Sequence, residues 1–383
     1  MIIMPVEARY TEYIHSKAAR AGIPLNGTFE ITPCCNMNCR MCYVRMSVEQ
    51  QRAIAPLHTA AEWLELGRIA KEHGMLYLLV TGGEPFLHPE IRQILEGLHQ
   101  MGLIISINSN GTMIDEKTIE WLKKCPPVRI NITLYGASDE TYGRLCRNPR
   151  GFTQVTKAIR LLTEAGITVK LNCSVTPYNC MDLDGIFGFA EEHGLHIQGT
   201  SYMFPPVRRD ESMIGHNDRF TPDEAAYQSA RIEALTYGAE NFLKKMELHA
   251  PMALSGDLGD DCDLPDVGDG VRCRAGKCSF WVTWEGKMMP CGMFPQTDAP
   301  NVFREGFDRT WELVREKVRA VRLPPKCAGC ALKDECKSCA AMVYTETGTF
   351  DQVPKYRCDM AMAYAPACRK LEAELRAKQE ESK

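Results

Sequence analysis

Two short stretches hold residue types that could do chemistry together. Cys35-Asn-Met-Asn-Cys39-Arg-Met-Cys42 places three thiols on one short segment. Three thiolates can hold three irons of a four-iron cubane and leave the fourth iron open. An open coordination position separates a reactive metal centre from a closed structural one. The competing reading is a partial zinc knuckle with its fourth ligand elsewhere. Cys34 is poorly placed for that role as the immediate neighbour of Cys35, and His58 is distant. Further on, Thr81-Gly82-Gly83-Glu84-Pro85 sets two glycines and an acid at the end of an apolar run. That pattern suits close backbone approach to a ligand, with the carboxylate meeting an ammonium group.

A second cysteine system lies near the other end: Cys273-x4-Cys278, Gly286-x4-Cys291, Cys327-x2-Cys330-x5-Cys336-x2-Cys339 and Cys358. Eight thiolates make two complete sets of four, each enough to close a cubane. A pair of zinc ribbons is the alternative. Of the 18 cysteines in the 383-residue chain, Cys34, Cys125, Cys146, Cys173, Cys180, Cys262 and Cys368 stay outside these groups. Most of them read as small buried hydrophobes. Cys262 stands among aspartates, which should raise its pKa and argues against a simple nucleophile.

Composition narrows the setting. A formal charge of −4 gives no electrostatic reason to expect nucleic acid. The N-terminal residues have charges scattered through them and no continuous apolar run, so no secretory signal is expected. The longest apolar runs, such as Met75 to Val80, are strand-length and too short to span a bilayer. The expectation is a cytoplasmic protein without membrane or nucleic-acid partners. In a reducing compartment so many cysteines point to metal ligation rather than disulfides.

The elements that must position these residues follow from periodicity. Strands are predicted at Thr28–Thr32, Leu76–Thr81, Leu103–Asn108, Val128–Leu134, Thr168–Val175 and His196–Thr200. Helices are predicted between them at Thr59–His73, Pro89–Met101, Asp115–Lys124, Phe152–Ala165 and Leu183–His193. Gly74, Gly102, Gly166 and Gly194 follow the last turns, where helix C-caps belong. Strands alternating with helices predict an α/β fold with a parallel sheet, either a partial barrel or a doubly wound open sheet. Both cysteine loop and Gly-Gly-Glu then fall at C-terminal strand ends, on the rim where such folds place chemistry. The expected organisation is an N-terminal extension at 1–26, the α/β unit at 27–245, an acidic linker at 246–272, a cysteine-rich unit at 273–370 and a charged tail at 371–383. The linker carries Asp257, Asp260, Asp261, Asp263, Asp266 and Asp269 among its glycines. The cysteine-rich unit is short on long periodic segments and should depend on metal for its stability.

Cys35-x3-Cys39-x2-Cys42 followed by Gly82-Gly83-Glu84 resembles the radical S-adenosylmethionine (SAM) superfamily, over about residues 27–240. The resemblance implies a partial (β/α)6 TIM-like barrel, with SAM chelating the open iron through its amino and carboxylate groups. Gly82, Gly83 and Glu84 would hold the amino group. The reduced cluster would cleave SAM to methionine and a 5′-deoxyadenosyl radical that abstracts hydrogen from substrate. Ser109 and Asn110 resemble positions that contact the ribose or methionine part of SAM. Arg144 or Arg147 stands where relatives place an arginine on its carboxylate, and Met41 with the following Tyr43 stands where an adenine contact belongs.

The later cysteines resemble the SPASM extension of peptide-modifying relatives, which carries two auxiliary [4Fe–4S] clusters. By that likeness Cys273, Cys278, Cys291 and Cys339 hold an inner cluster, and Cys327, Cys330, Cys336 and Cys358 an outer one. One spacing departs from the pattern: two residues, Lys337 and Ser338, precede the crossing Cys339 where three are usual. The resemblance implies three clusters, SAM, a peptide or protein substrate and an electron donor such as flavodoxin or ferredoxin. Thioether or carbon–carbon crosslinking of a ribosomal peptide is the first expectation, and formylglycine formation in a sulfatase the second. The segment before the first strand is too short for a fused leader-binding domain. A non-enzymatic iron–sulfur or zinc interaction protein is the reading from another class, and it leaves Gly82-Gly83-Glu84 unexplained.

Overall fold

The computed structural model describes residues 6–248 and 269–381. Six strands run parallel: β1 (Asn26–Glu30), β2 (Tyr77–Thr81), β3 (Ile104–Ser109), β4 (Arg129–Thr133), β5 (Val169–Ser174) and β6 (His196–Thr200). They stand in the order 6-5-4-3-2-1, so each βα unit adds its strand beside the last. The sheet stays open, as a partial barrel. Beyond β1 it continues with β7 (Ser279–Val282), parallel to β1, and β8 (Met288–Met289), antiparallel to β7. The cysteine-rich region is therefore knitted into the same sheet as the α/β unit.

The helices before and within the parallel unit are α1 (Val6–Ala21), α2 (Val48–Ile54), α3 (Ala60–Glu72), α4 (Ile91–Gln100), α5 (Glu116–Leu122), α6 (Asp139–Cys146), α7 (Gly151–Glu164) and α8 (Leu183–Glu192). After β6 come α9 (Pro222–Tyr237) and α10 (Ala239–Glu247). Local chemistry sets their ends. Ser47, Thr59 and Thr221 each close a capping box, with Gln50, Glu62 and Glu224 respectively. Gly74, Gly102, Gly166 and Gly194 all take left-handed φ values, between 63° and 106°, a conformation that costs side-chain-bearing residues strain.

The C-terminal region adds α11 (Val302–Glu305), α12 (Phe307–Ala320), α13 (Pro325–Ala328), α14 (Lys333–Cys336), α15 (Ala340–Thr347) and α16 (Lys355–Glu381). It has a small core of its own, in which Phe294, Val318, Leu323 and Val343 are buried. The main core lies between sheet and helices, with Phe29, Trp63, Leu98, Ile107, Tyr142 and Leu171 at its centre.

The chain's two ends take defined structure. The N-terminal extension forms α1, which covers the start of β1: His15 Nε2 lies 3.1 Å from Asn26 Oδ1, and Ala18 packs on Leu25 and Cys278. The charged tail, expected as a helix end, is the last part of the 27-residue α16, which has Pro366 inside it. Packing on α9, where Glu233 accepts from the buried Tyr364 Oη, holds the helix. Of the acidic linker expected at 246–272, residues 249–268, with Cys262, lie outside the described residues, and Met246 and Glu247 belong to α10.

Candidate metal and cofactor site

The loop after β1 is closed on itself and tied down. Met46 N–H donates to the Pro33 carbonyl (3.0 Å), and Thr32 Oγ1 accepts from Cys34 N–H (3.2 Å). Met37, Met41 and Val44 bury their side chains. The C-terminus of α6 supplies the remaining hold: Asn38 N–H donates to the Cys146 carbonyl (2.9 Å) and Arg40 N–H to that of Leu145 (3.2 Å). These are orphan helix-end carbonyls, and the loop satisfies them. Backbone N–H groups point at two sulfurs, from Met37 to Cys35 Sγ (3.4 Å) and from Arg45 to Cys42 Sγ (3.3 Å).

Without a metal these thiols resist ionising. Burial pushes Cys35 up to about 12, with Glu84 and its two partner cysteines adding to the rise. Cys39 is raised first by its hydrogen bond with Cys146 and then by burial. Burial and the charge of Cys39 raise Cys42. A bound cationic metal inverts that preference, because the thiolate is then the favoured form.

Glu84 is fully buried behind this loop. Its carboxylate accepts from Ser109 Oγ (2.9 Å), Asn110 N–H (2.7 Å) and Phe86 N–H (3.2 Å). Burial nevertheless pushes its pKa up to about 7, since desolvation of the anion outweighs those three donors. Asn110 joins the acid to the cysteines, because its Nδ2 donates to Asn36 Oδ1 (2.9 Å) and lies 3.5 Å from Cys35 Sγ. Glycine at 82 and 83 has a steric cause. A Cβ on Gly82 would stand 2.5 Å from the Thr32 carbonyl oxygen, and one on Gly83 would stand 2.4 Å from that of Cys34. The close backbone approach inferred from sequence is thus made to the cysteine loop itself, through Gly83 N–H to Thr32 O (2.7 Å) and Glu84 N–H to Cys34 O (2.8 Å).

Met41, Cys42 and Tyr43 line a cavity of about 370 Å3 at the strand tips. Asn172, Cys173, Ser174 and residues 198–200 form one wall, and Met293, Cys336, Lys337, Met342 and Arg357 form the other. Arg144 is engaged elsewhere. Its guanidinium donates to the Tyr178 carbonyl (3.2 Å) and to Thr141 Oγ1 (3.2 Å) on the outer side of α6, and it joins none of the Glu84 contacts. Arg147 ends α6 with a left-handed backbone.

In the C-terminal region the thiols fall into two neighbourhoods. Cys291 is pushed up to about 12 by burial, then by the charges of Cys273 and Cys339. Cys327 is raised by burial and then by Cys358, Cys336 and Cys330. Cys278 is fully buried against Ala18 and Leu25. Among the described residues no three Cys, His, Asp or Glu side chains converge on one point as a single metal ion requires. A cubane takes each thiolate on a different iron and needs no such convergence.

Buried arginines stand near each group of thiols. The buried Nε atoms of Arg45, Arg208, Arg272 and Arg357 have no hydrogen-bond partner. Each of these arginines acts electrostatically on a cysteine of one group: Arg45 on Cys39, Arg208 on Cys291, Arg272 on Cys327 and Arg357 on Cys339. Cations beside thiols are what a thiolate-bound cluster needs. Spacing arguments missed these arginines and Cys146, since no motif in the sequence marks a charge that meets its cysteine only through the fold.

An open parallel sheet with a reactive loop and a buried acid on one rim defines an α/β enzyme of the partial-barrel class. Residues 29–189 match the radical SAM superfamily, so this part of the chain is a radical SAM domain. The chain is similar to the AdoMet-dependent heme synthase of Methanosarcina barkeri, at 24% identity over 86% of this chain and 94% of that one. It is also similar to the antilisterial bacteriocin subtilosin biosynthesis protein AlbA of Bacillus subtilis, at 24% identity over 82% of this chain and 65% of that one. In fold it resembles Streptococcus suis SuiB, solved bound to precursor peptide SuiA, with a TM-score of 0.65 and 17% identity over 93% of this chain and 82% of that one. Among the described residues no helix is long and apolar enough to cross a membrane.

Proposed function

We propose that this enzyme modifies a peptide or protein substrate, forming a thioether or carbon–carbon crosslink in a ribosomally made peptide, with three [4Fe–4S] clusters and SAM. Cys35, Cys39 and Cys42 would hold the first cluster. Cys273, Cys278, Cys291 and Cys339 would hold the inner auxiliary cluster, and Cys327, Cys330, Cys336 and Cys358 the outer one. Bound there, the cluster and SAM would supply reductive cleavage of SAM for hydrogen abstraction, and a flavodoxin or ferredoxin is the proposed source of the electron. Glu84 accepts the SAM ammonium in its ionised form, held in place by Ser109 and Asn110. Met41 and Tyr43 give the adenosyl part an apolar wall, and burial of the loop excludes water.

One observation carries this reading: a single cavity is walled by the first cysteine loop, the strand tips and the auxiliary region. Its volume, about 370 Å3, is near the bottom of the roughly 300–1,000 Å3 typical of ligand sites. The near full-length match to a heme synthase favours a second reading, in which the substrate is a heme precursor.

The test begins with iron and acid-labile sulfide per chain after anaerobic reconstitution. About twelve irons, falling to about eight in Cys35/Cys39/Cys42→Ala, are expected. Mass spectrometry then follows a peptide encoded beside this gene, incubated with enzyme, SAM and reductant. A loss of two hydrogens that depends on all three supports the proposal. Turnover of a heme precursor instead would establish the second reading.

A further inference from the structure

Arg357 opens α16 one residue before Cys358, and it is only 4% exposed. Its Nη2 donates to the Cys336 carbonyl and its Nη1 to Met360 Sδ (3.1 Å), while Nε has no partner. Its guanidinium lies 4.8 Å from the centre of the Tyr202 ring. No carboxylate among the described residues pairs with it. This is unlike two comparably buried arginines, Arg208 and Arg219, which bind Glu30 and Glu346 through two bonds each. Glu346, the acid nearest by in the network, already has both oxygens on Arg219 and accepts from Tyr202 Oη as well (2.6 Å).

A buried cation without an anion is expensive, so the fold must supply negative charge that the protein atoms do not. Position says where it comes from. Arg357 bonds Cys336 and adjoins Cys358, both in the outer neighbourhood, and its charge also acts on Cys339 in the inner one. A cubane on four thiolates would be net negative, and with only Lys337 and Ser338 between Cys336 of one set and Cys339 of the other, two such groups would repel each other. We propose that Arg357 is the shared counter-charge of the two auxiliary clusters, a positioning residue that lets both anionic groups occupy adjacent sites and sets their reduction potentials together. Arginine suits this role, because it stays protonated when buried and its planar fork can face two groups at once. The inference rests on the three-cluster reading above.

The experiment uses full-length reconstituted protein in the Cys35/Cys39/Cys42→Ala background, so that only auxiliary clusters remain. Iron per chain and midpoint potentials, from redox titration followed by electron paramagnetic resonance, are compared for the parent, Arg357→Gln and Arg357→Lys. Loss of a nearby cation makes reduction of an anionic cluster harder. Both potentials should therefore shift negative in Arg357→Gln and stay near the parent values in Arg357→Lys. Unchanged potentials in Arg357→Gln overturn the proposal, and so does a shift confined to one cluster. An equal shift in both variants also overturns it, because charge would not be the cause. Unchanged potentials together with weakened substrate binding would place Arg357 on a substrate carboxylate instead. A parent protein holding zinc, or fewer than about eight irons, would remove the three-cluster reading itself before the variants are compared.

Discussion

Gly83→Ala tests whether the Gly-Gly-Glu turn and the cysteine loop act as one unit. The new Cβ would lie 2.4 Å from Cys34 O and 2.5 Å from Pro33 O, both backbone atoms, whereas ordinary contact begins at 3.4 Å. The loop must retreat by about 1 Å to relieve that, which is the kind of overpacking that costs about 1–3 kcal/mol. The same retreat stretches the bonds from Gly83 N–H to Thr32 O and from Glu84 N–H to Cys34 O, now 2.7 and 2.8 Å. Each is worth about 1 kcal/mol. The total of about 3–5 kcal/mol falls on the segment that carries Cys35, Cys39 and Cys42. Gly83 is not a left-handed residue, so the penalty is steric and not conformational. Anaerobic reconstitution of Gly83→Ala should lose about four irons per chain and keep the auxiliary ones, with a melting temperature several degrees lower. Gly188→Ala is the control, since it lies inside α8 with nothing within 4 Å of its added Cβ. It should be neutral or stabilise by up to about 1 kcal/mol. Wild-type iron content and melting in Gly83→Ala would refute the steric coupling.

Burial raises the folded Glu84 pKa to about 7 from 4.5, so in its proposed role the group would have to lose a proton below about 7 before accepting the SAM ammonium. Affinity for SAM, measured by equilibrium dialysis of cluster-loaded protein, should weaken by up to about tenfold per pH unit below that point. Glu84→Gln should bind weakly at every pH. The same shift makes the cofactor-free protein less stable as pH rises from 4.5 to about 7, because the folded state keeps a proton that the unfolded chain has lost. In the other half, Glu346→Gln strands the buried Arg219 charge and should cost about 3–5 kcal/mol in denaturant unfolding. Replacing the pair together, Arg219→Met with Glu346→Leu, should cost much less, and equal costs would refute the ion-pair account.

What the sequence disclosed was whatever a local pattern could carry. The six parallel strands and five crossover helices announce themselves by period and by terminal glycines, and boundaries shift by only one or two residues at most ends. The juxtaposition of Cys35, Glu84 and Asn110 follows once three strand tips share a rim. Contacts made across the fold leave no such trace. β7 and β8 span only four and two residues, too short to show a period. The hydrogen bond between Cys146 and Cys39 joins residues more than a hundred positions apart, and Cys146 looks like any small apolar residue at the end of α6. Which way an arginine such as Arg144 reaches is likewise set by its neighbours across the fold, here Tyr178 and Thr141.

The two halves of the molecule meet at the tip of β1, and the chemistry there explains why the auxiliary region cannot sit far from the first cysteine loop. Glu30 is the last residue of β1 and is fully buried. It accepts from both Nη atoms of Arg208 (2.9 and 2.8 Å) and from Trp281 Nε1 (3.0 Å) on β7. Arg208 in turn donates to the Gly292 carbonyl (3.0 Å), next to Cys291, and its guanidinium lies 5.6 Å from the centre of the Tyr43 ring. One buried acid therefore fixes the strand that launches the first loop, the arginine that faces Cys291 and the strand that opens the C-terminal region. Because a buried charge left without its partner is costly, none of these parts can shift alone. The cavity between Tyr43 and Met293 inherits its dimensions from that constraint.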